Sequence, residues 1–186
     1  MARLSQLTQQ LLHQHGTTFN VYLQTSVAGT VKQLGTTSKS IMKNGLVVVS
    51  SSSIPAKSTF AGEYAVGLTY EPQVVKIIDG GDKSAHMVFW EEGTTSVGFA
   101  SAIIKGSKNL ANAKLFMDFL QSDAGQQTYL DAAARPASTT KLEGGSATMV
   151  DLNTINVKVA DTEALAQNKQ AICDKWNEYW AKYGKN

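Results

Sequence analysis

Residues 46–90, LVVVSSSSIPAKSTFAGEYAVGLTYEPQVVKIIDGGDKSAHMVFW, carry the clearest structural pattern in the chain. Short apolar runs rich in β-branched residues, typical of buried strands, alternate with segments that have Pro in a first helical turn and Gly after the last one. The pattern predicts helices that begin near Pro55 and Pro72, and strands at residues 46–49, 63–69 and 84–90. Such an alternation favours a parallel sheet with right-handed crossovers, so the predicted fold class is α/β.

The flanking segments are mainly helical in pattern, because their apolar residues recur every three or four positions. Upstream we predict helices at residues 3–14, 26–34 and 37–44. Downstream we predict a strand at 97–106, helices at 109–122 and 123–134, and a strand at 155–159. Asp161 is the expected cap of a long final helix with an apolar stripe formed by Leu165, Ile172, Trp176 and Trp180.

The composition excludes several classes of function. The formal net charge is +2, with 17 basic and 15 acidic residues in no long block, so a nucleic-acid partner is not expected. No apolar run approaches the roughly 20 residues that span a bilayer, and the first residues lack the apolar core of a signal peptide. Cys173 is the sole cysteine, which rules out an intrachain disulfide; we expect a buried, inert thiol.

Four serines, Ser50 to Ser53, follow the first predicted strand and precede a predicted helix. Hydroxyls and unpaired backbone N–H groups meet there at the positive end of a helix dipole, which suits a phosphate, phosphonate or carboxylate group. Ligands of open α/β sheets bind outside the carboxyl ends of the strands. Ser51, Ser52 and Ser53 are therefore candidate ligand-binding residues; the alternative is one capping serine among solvated turn residues.

The next two predicted strands also end in polar residues. Tyr70 and Glu71 follow the second strand, after Gly67, which permits a close backbone approach. Tyr70 can stack on a ligand or donate its hydroxyl, and Glu71 can accept from hydroxyls or an amine. The alternative for Glu71 is a first-turn carboxylate favoured by the helix dipole. Glu91 and Glu92 follow the third strand, and alternation turns one of them towards a shared cleft.

No catalytic constellation is visible. His13 and His15 lie two residues apart on a predicted helix and point in different directions, so they cannot share one metal ion. His86 stands alone on a predicted strand, and neither a nucleophile elbow nor a P-loop occurs. We expect no enzyme activity, no cofactor and no metal site.

Two quoted stretches carry a family resemblance: GEYAVGLTYEPQVVKIIDGG at residues 62–81 and VFWEEGTTSVGFASAIIKGSKNLANAKLFMDFLQSDAGQQTYLDAAARP at residues 88–136. They resemble the extracellular solute-binding proteins of ABC importers, in the type II branch that binds ferric ions, hexose phosphates, aminoethylphosphonate or polyamines. The resemblance implies a two-lobed α/β clamp that closes about a hinge and presents its solute to permease subunits in the membrane. It also implies a periplasmic or extracellular location.

The resemblance further implies which residues bind. The positions that match the family are the serine run, the Tyr70–Glu71 pair and the turn at Glu91 and Glu92. Ferric members carry two adjacent tyrosines where this chain has only Tyr70 beside a glutamate. Because phenolates supply most of the hard ligation of Fe(III), the departure favours a small anionic or zwitterionic solute, such as a sugar phosphate or phosphonate. Two alternatives remain open: ferric-ion transport, in which Tyr70 would be a ligand, and the effector domain of a cytoplasmic regulator.

The resemblance covers only the rear half of the family's usual chain. We therefore expect a partial type II fold: residues 1–92 form most of lobe two, 93–96 the hinge, and 97–186 the C-terminal segment of lobe one. Without the rest of lobe one, the helix containing AKLFMDFL would expose apolar surface. We expect a homo-oligomer with exchanged elements, or a rearranged packing.

Overall fold

The computed structural model describes residues 19–20, 38–89, 94–96, 100–138, 140–159 and 162–184. Within these ranges residues 38–43 are helical, and a 3₁₀ turn occupies Leu152–Thr154. The longer helices are α1 (Ser53–Phe60), α2 (Glu71–Asp79), α3 (Leu110–Gln121), α4 (Asp123–Asp131) and α5 (Thr162–Tyr183).

Two short parallel ladders hold the strands. Strand β1 (Phe19–Asn20) pairs with β2 (Leu46–Val47), and β3 (Thr94–Ser96) pairs with β4 (Val157–Val159). Both ladders are parallel, the arrangement that is typical of α/β chains. Residues 94–96 of the predicted hinge thus belong to a strand, whereas the lobe boundaries and a hinge motion stay predictions.

The predicted sheet of three consecutive strands differs from the observed structure. Residues 63–69 contain a single bridge, at Gly67, and residues 84–89 form no strand. The described part of the predicted strand at 97–106 is also irregular. The backbone at Gly67 is closely packed: an added Cβ would lie 2.5 Å from Thr59 Oγ1 and 2.6 Å from the Pro55 carbonyl oxygen. This backbone lies against α1, so the expected close approach occurs at a helix.

The predicted starts and ends of α1 and α2 agree with the structure to within two residues. Ser52 is the N-cap residue of α1, although its side chain makes no capping hydrogen bond. Pro72 lies in the first turn of α2, where its missing N–H costs no helical hydrogen bond. Gly81 follows the end of α2 with φ +100°, a left-handed conformation that favours glycine.

Helices α3 and α4 form a tight pair joined at Ser122. The Ser122 hydroxyl oxygen accepts from the Gly125 N–H at 3.2 Å, which caps α4. At Gly125 a Cβ would lie 2.0 Å from the Phe119 carbonyl oxygen, so this turn requires glycine. The two helices predicted at residues 109–122 and 123–134 are confirmed.

A small core joins distant parts of the chain. Met42 and Leu46 are fully buried, and α5 packs against them through Trp176, Tyr179, Trp180 and Tyr183. Trp176 and Trp180 stack with ring centroids 6.2 Å apart. Two of the four residues in the predicted apolar stripe therefore reach this core. Ile172 is half-buried, and the side chain of Leu165 and the predicted cap Asp161 lie outside the described residues.

Helix α3 buries none of its residues. Its apolar side chains Leu115, Phe116 and Phe119 are 67%, 60% and 44% exposed. The apolar surface that the sequence predicts for this helix is thus present, whereas oligomerisation stays a prediction. Cys173, expected to be buried, is exposed on α5. Among the described helices, none has the length and hydropathy needed to cross a bilayer.

Candidate functional site

The serine run forms the turn that leads into α1. Ser51 Oγ lies 3.0 Å from Ser53 Oγ, and the Ser51 carbonyl accepts from the Ile54 N–H at 3.2 Å. The Ser51 side chain is exposed, whereas Ser52 and Ser53 are half-buried. Two of the three candidate hydroxyls therefore hydrogen bond to each other in the turn, and both stay near the solvent side of the first helical turn.

Thr69 connects the serine turn to the second candidate segment. Its hydroxyl donates a short hydrogen bond to the Ser52 carbonyl oxygen, 17 residues earlier in the chain. The next residues in the chain are Tyr70 and Glu71. The structure thus places the serine turn next to the segment that leads into Tyr70 and Glu71. Thr69 was not among the predicted site residues, although its place directly before Tyr70 is a signal that could have identified it.

Tyr70 and Glu71 form the beginning of α2. Tyr70 is the N-cap residue, with extended backbone angles of φ −82° and ψ 141°, and its carbonyl accepts from the Gln73 N–H at 3.0 Å. The Tyr70 side chain is half-buried. Glu71 is the first helical residue, where the N-terminal dipole favours a carboxylate. Glu71 therefore lies in the first helical turn, as the alternative interpretation of this residue states. Its side chain also has a specific partner.

That partner is Arg135, 64 residues later in the chain. Arg135 Nε donates to Glu71 Oε2 at 2.7 Å, and Arg135 Nη2 donates to Glu71 Oε1 at 2.6 Å. The carboxylate side chain is 14% exposed and the guanidinium side chain 29%. This two-bond geometry is the one that only the planar fork of arginine provides.

The segment that carries Arg135 is held by α4 and a neighbouring loop. Ala133 ends the helical region with φ 59°, and the buried Gln126 accepts the Ala137 N–H at 2.6 Å through its side-chain oxygen. Arg135 Nη2 also donates to the Val150 carbonyl oxygen at 2.5 Å. The Val150 carbonyl therefore orients the guanidinium, and Gln126 holds the backbone that follows Arg135.

Sequence reasoning missed Arg135. The only other arginine in the sequence is Arg3, so a lone arginine directly before Pro136 was an available signal. Glu91 and Glu92, the third predicted cluster, lie outside the described residues, and their part in a site stays a prediction. Within the described ranges, no group of three His, Cys, Asp or Glu side chains could hold a metal ion.

A cleft lies at the far end of α2, away from the serine turn and the Tyr70–Glu71 pair. It has a volume of about 450 Å³, and its lining includes Lys76, Asp79, Asp131 and Ser146. The Thr148 hydroxyl donates to Asp79 Oδ1 at 2.6 Å. Hydrogen bonds from Thr148 and Ser146 and the charge of Lys83 hold the pKa of Asp79 below its ordinary value, against a smaller opposing effect of desolvation. Asp79 therefore remains a carboxylate at neutral pH.

The family model of the bacterial extracellular solute-binding proteins matches residues 3–127, well over half of the chain. The chain belongs to this family. A solute-binding role in transport and a location outside the cytoplasm follow from the family's description. Comparisons with curated proteins and with solved structures found no match.

This family assignment covers every residue proposed for the site from the sequence. The matched range contains the serine turn, the Tyr70–Glu71 pair and the turn at Glu91 and Glu92. Arg135 lies beyond it. In the solute-binding protein, Glu71 of the matched range thus pairs with an arginine from a later segment.

Proposed function

We propose that this protein is the solute-binding component of an ABC importer and that it binds a small anionic or zwitterionic solute, such as a sugar phosphate or phosphonate. The observation that carries the proposal is the family match over residues 3–127. The solute would bind in a cleft between lobe two, residues 1–92, and the lobe-one segment, residues 97–186. Residues 93–96 would serve as the hinge.

The proposed roles follow from the chemistry of the side chains. Ser51, Ser52 and Ser53 offer hydroxyls and N–H groups at the start of α1 to an anionic group. Tyr70 packs against the solute or donates its hydroxyl, and Glu71 with Glu91 or Glu92 accepts from hydroxyls or an amine. The Thr69–Ser52 hydrogen bond supports this grouping, because it ties the serine turn to the segment that carries Tyr70.

The Glu71–Arg135 pair adds a reason to favour a zwitterion. It places a carboxylate and a guanidinium side by side, at 2.6–2.7 Å, in a half-buried position. A phosphate or carboxylate group would compete for the arginine fork, and an amine would compete for the glutamate. A single solute that carries both a negative and a positive charge would give Arg135 and Glu71 each a partner of opposite charge. Small neutral sugars would compensate neither.

The proposed partners are the permease subunits of the importer and a second copy of this chain. The first follows from the proposed transport role. The second rests on the exposed apolar side chains of α3, which a protein working alone in water would be expected to cover.

A thermal-shift screen with hexose phosphates, aminoethylphosphonate, polyamines and Fe(III) tests the proposal. A solute at 100 times its dissociation constant stabilises a competent site by about 2.7 kcal/mol. We expect an organophosphate or phosphonate to raise the melting temperature. Glu71→Gln and Arg135→Lys should reduce that increase, each compared with its own solute-free protein.

The pair Lys141 and Glu143 provides the matched control. These residues also form an ion pair, at 3.9 Å, but their side chains are 90% and 87% exposed. Lys141→Gln and Glu143→Gln should leave the solute response unchanged. A screen without any stabilising compound, or an equal response in all four variants, would contradict the proposal. A response to Fe(III) alone would replace it with ferric-ion transport.

A further inference from the structure

Three lysines gather around the ring of Tyr183. The Nζ atoms of Lys39, Lys43 and Lys182 lie 5.5, 5.1 and 5.5 Å from the ring centroid. Each distance is within the range of a cation–π contact. We call these four residues the lysine–tyrosine cluster. It shares no residue with the proposed solute site.

The core of the protein holds the cluster in place. Tyr183 packs against the fully buried Met42 and Leu46, so the position of its ring is determined by the same contacts that dock α5. Lys39 and Lys43 are four residues apart in the helical segment 38–43, on one side of it. Lys182 is the neighbour of Tyr183 in α5. Three ammonium groups from two segments therefore converge on one fixed ring.

Among the described residues, no carboxylate forms an ion pair with the cluster. Residues 1–62 contain Arg3 and several lysines but no Asp or Glu, so the first third of the chain has no acidic side chain to offer. The three Nζ atoms, each within 5.5 Å of one centroid, are separated by about a Debye length or less and repel one another.

The phenol of Tyr183 responds to this charge. Desolvation raises its pKa, but the charges of Lys182, Lys39 and Lys43 and a hydrogen bond with Lys182 together lower it below the ordinary value. The region therefore favours a negative charge. It contains three ammonium groups with up to nine donors, a number that suits an oxyanion with several oxygen acceptors better than a single carboxylate.

We propose that the lysine–tyrosine cluster binds a phosphate group. Lysine binds phosphate as a point charge, and an anion placed among the three Nζ atoms would relieve their mutual repulsion. The same chemistry is available from a soluble phosphate and from the headgroup of an anionic phospholipid. The experiment therefore presents both sources.

The first arm titrates the full chain with inorganic phosphate at low salt and follows the Tyr183 ring carbon bonded to oxygen by NMR. The second arm measures cosedimentation with phosphatidylglycerol vesicles, with phosphatidylcholine vesicles as the reference. The test variant is Lys39→Gln/Lys43→Gln/Lys182→Gln. The control variant, Lys105→Gln/Lys108→Gln/Lys114→Gln, removes the same charge from three exposed lysines elsewhere.

We expect the wild type and the control variant to bind alike and the test variant to bind at least about tenfold more weakly, because each lost charge-assisted hydrogen bond weakens the complex. Binding of inorganic phosphate identifies a soluble ligand, and binding to phosphatidylglycerol alone identifies a headgroup; both support the proposal. No binding in either arm would overturn it. So would an equal loss in both variants, which would show an effect of net charge alone. Glu71 and Arg135 are intact in every variant, so the solute response is measured independently.

Discussion

Arg135 binds Glu71 through two parallel hydrogen bonds of 2.7 and 2.6 Å, although 64 residues separate them in the chain. The pair joins the first turn of α2 to the segment that follows α4. It thus connects the predicted lobe-two region to the predicted lobe-one region. Its two charged partners are also the residues from which we infer a zwitterionic solute.

Breaking this pair should destabilise the fold. Glu71→Gln removes the charge while keeping the shape of the side chain, and it leaves a half-buried guanidinium that hydrogen bonds to the Val150 carbonyl without a carboxylate beside it. We expect the free energy of unfolding to fall by about 1–3 kcal/mol, the usual value of hydrogen bonds to charged groups. Urea denaturation measures the change. Glu143→Gln, at an exposed pair, should change it by less than about 0.5 kcal/mol; equal losses would refute a special role for Glu71.

Gly67→Ala should be destabilising for a steric reason. The new Cβ would lie 2.6 Å from the Pro55 carbonyl oxygen and 2.5 Å from Thr59 Oγ1, so the segment must move away from α1. We expect a loss of about 1–3 kcal/mol in urea denaturation. The double variant Gly67→Ala/Thr59→Ala should recover only part of that loss, because the clash with the backbone of α1 remains. Full recovery would show that Thr59 alone causes the strain.

Thr148→Val should raise the pKa of the Asp79 carboxyl. The Thr148 hydroxyl is the largest of the influences that lower this pKa from 3.8, so its removal weakens the preference for the charged form. A carboxyl with a lowered pKa in the folded state stabilises the fold above its unfolded pKa, and the effect disappears as the pH falls through the folded value. The wild type should therefore exceed Thr148→Val in stability at neutral pH, with the difference vanishing in acid below about pH 3.8.

NMR titration of the Asp79 side-chain carboxyl measures this change directly. Thr140→Val, at an exposed threonine, is the control and should leave the Asp79 titration in place. If Thr148→Val and Thr140→Val titrate alike, the Thr148 hydrogen bond does not act on Asp79.

The apolar face of α3 predicts self-association. Phe116 and Phe119 are three residues apart and exposed on one side of the helix. We expect light scattering at micromolar concentration to show a homo-oligomer, and Phe116→Glu to shift it towards monomer. Gln121→Glu places a similar charge on the other side of α3 and should not shift it. A wild type that is strictly monomeric would contradict this prediction.

The helical elements were largely predictable because their signals are local. Pro72 in the first turn and Gly80 after the last define α2, and Ser122 separates α3 from α4. Capping interactions and apolar periodicity involve residues only a few positions apart, so they do not depend on the contacts that the rest of the chain makes. The strand predicted at residues 155–159 is also confirmed, as β4, Val157–Val159.

The central sheet was not predictable in this way. Residues 63–69 have the composition of a strand, but strand formation also needs a second backbone that pairs along its length, and within these residues only Gly67 forms a bridge. The composition of a segment indicates whether its side chains can be buried, but it does not indicate which part of the protein they pack against.

The features of the proposed site also differ in whether the sequence alone could predict them. The amino-acid order already placed Ser51–Ser53, Tyr70 and Glu71 at the beginnings of two helices, because N-terminal turns have recognisable residues. The contact of Glu71 with Arg135 and the packing of Trp176 and Trp180 on Met42 became visible only in the folded chain. Those contacts join segments more than 60 residues apart, and their formation depends on which surfaces the fold buries together, a property that no short stretch encodes.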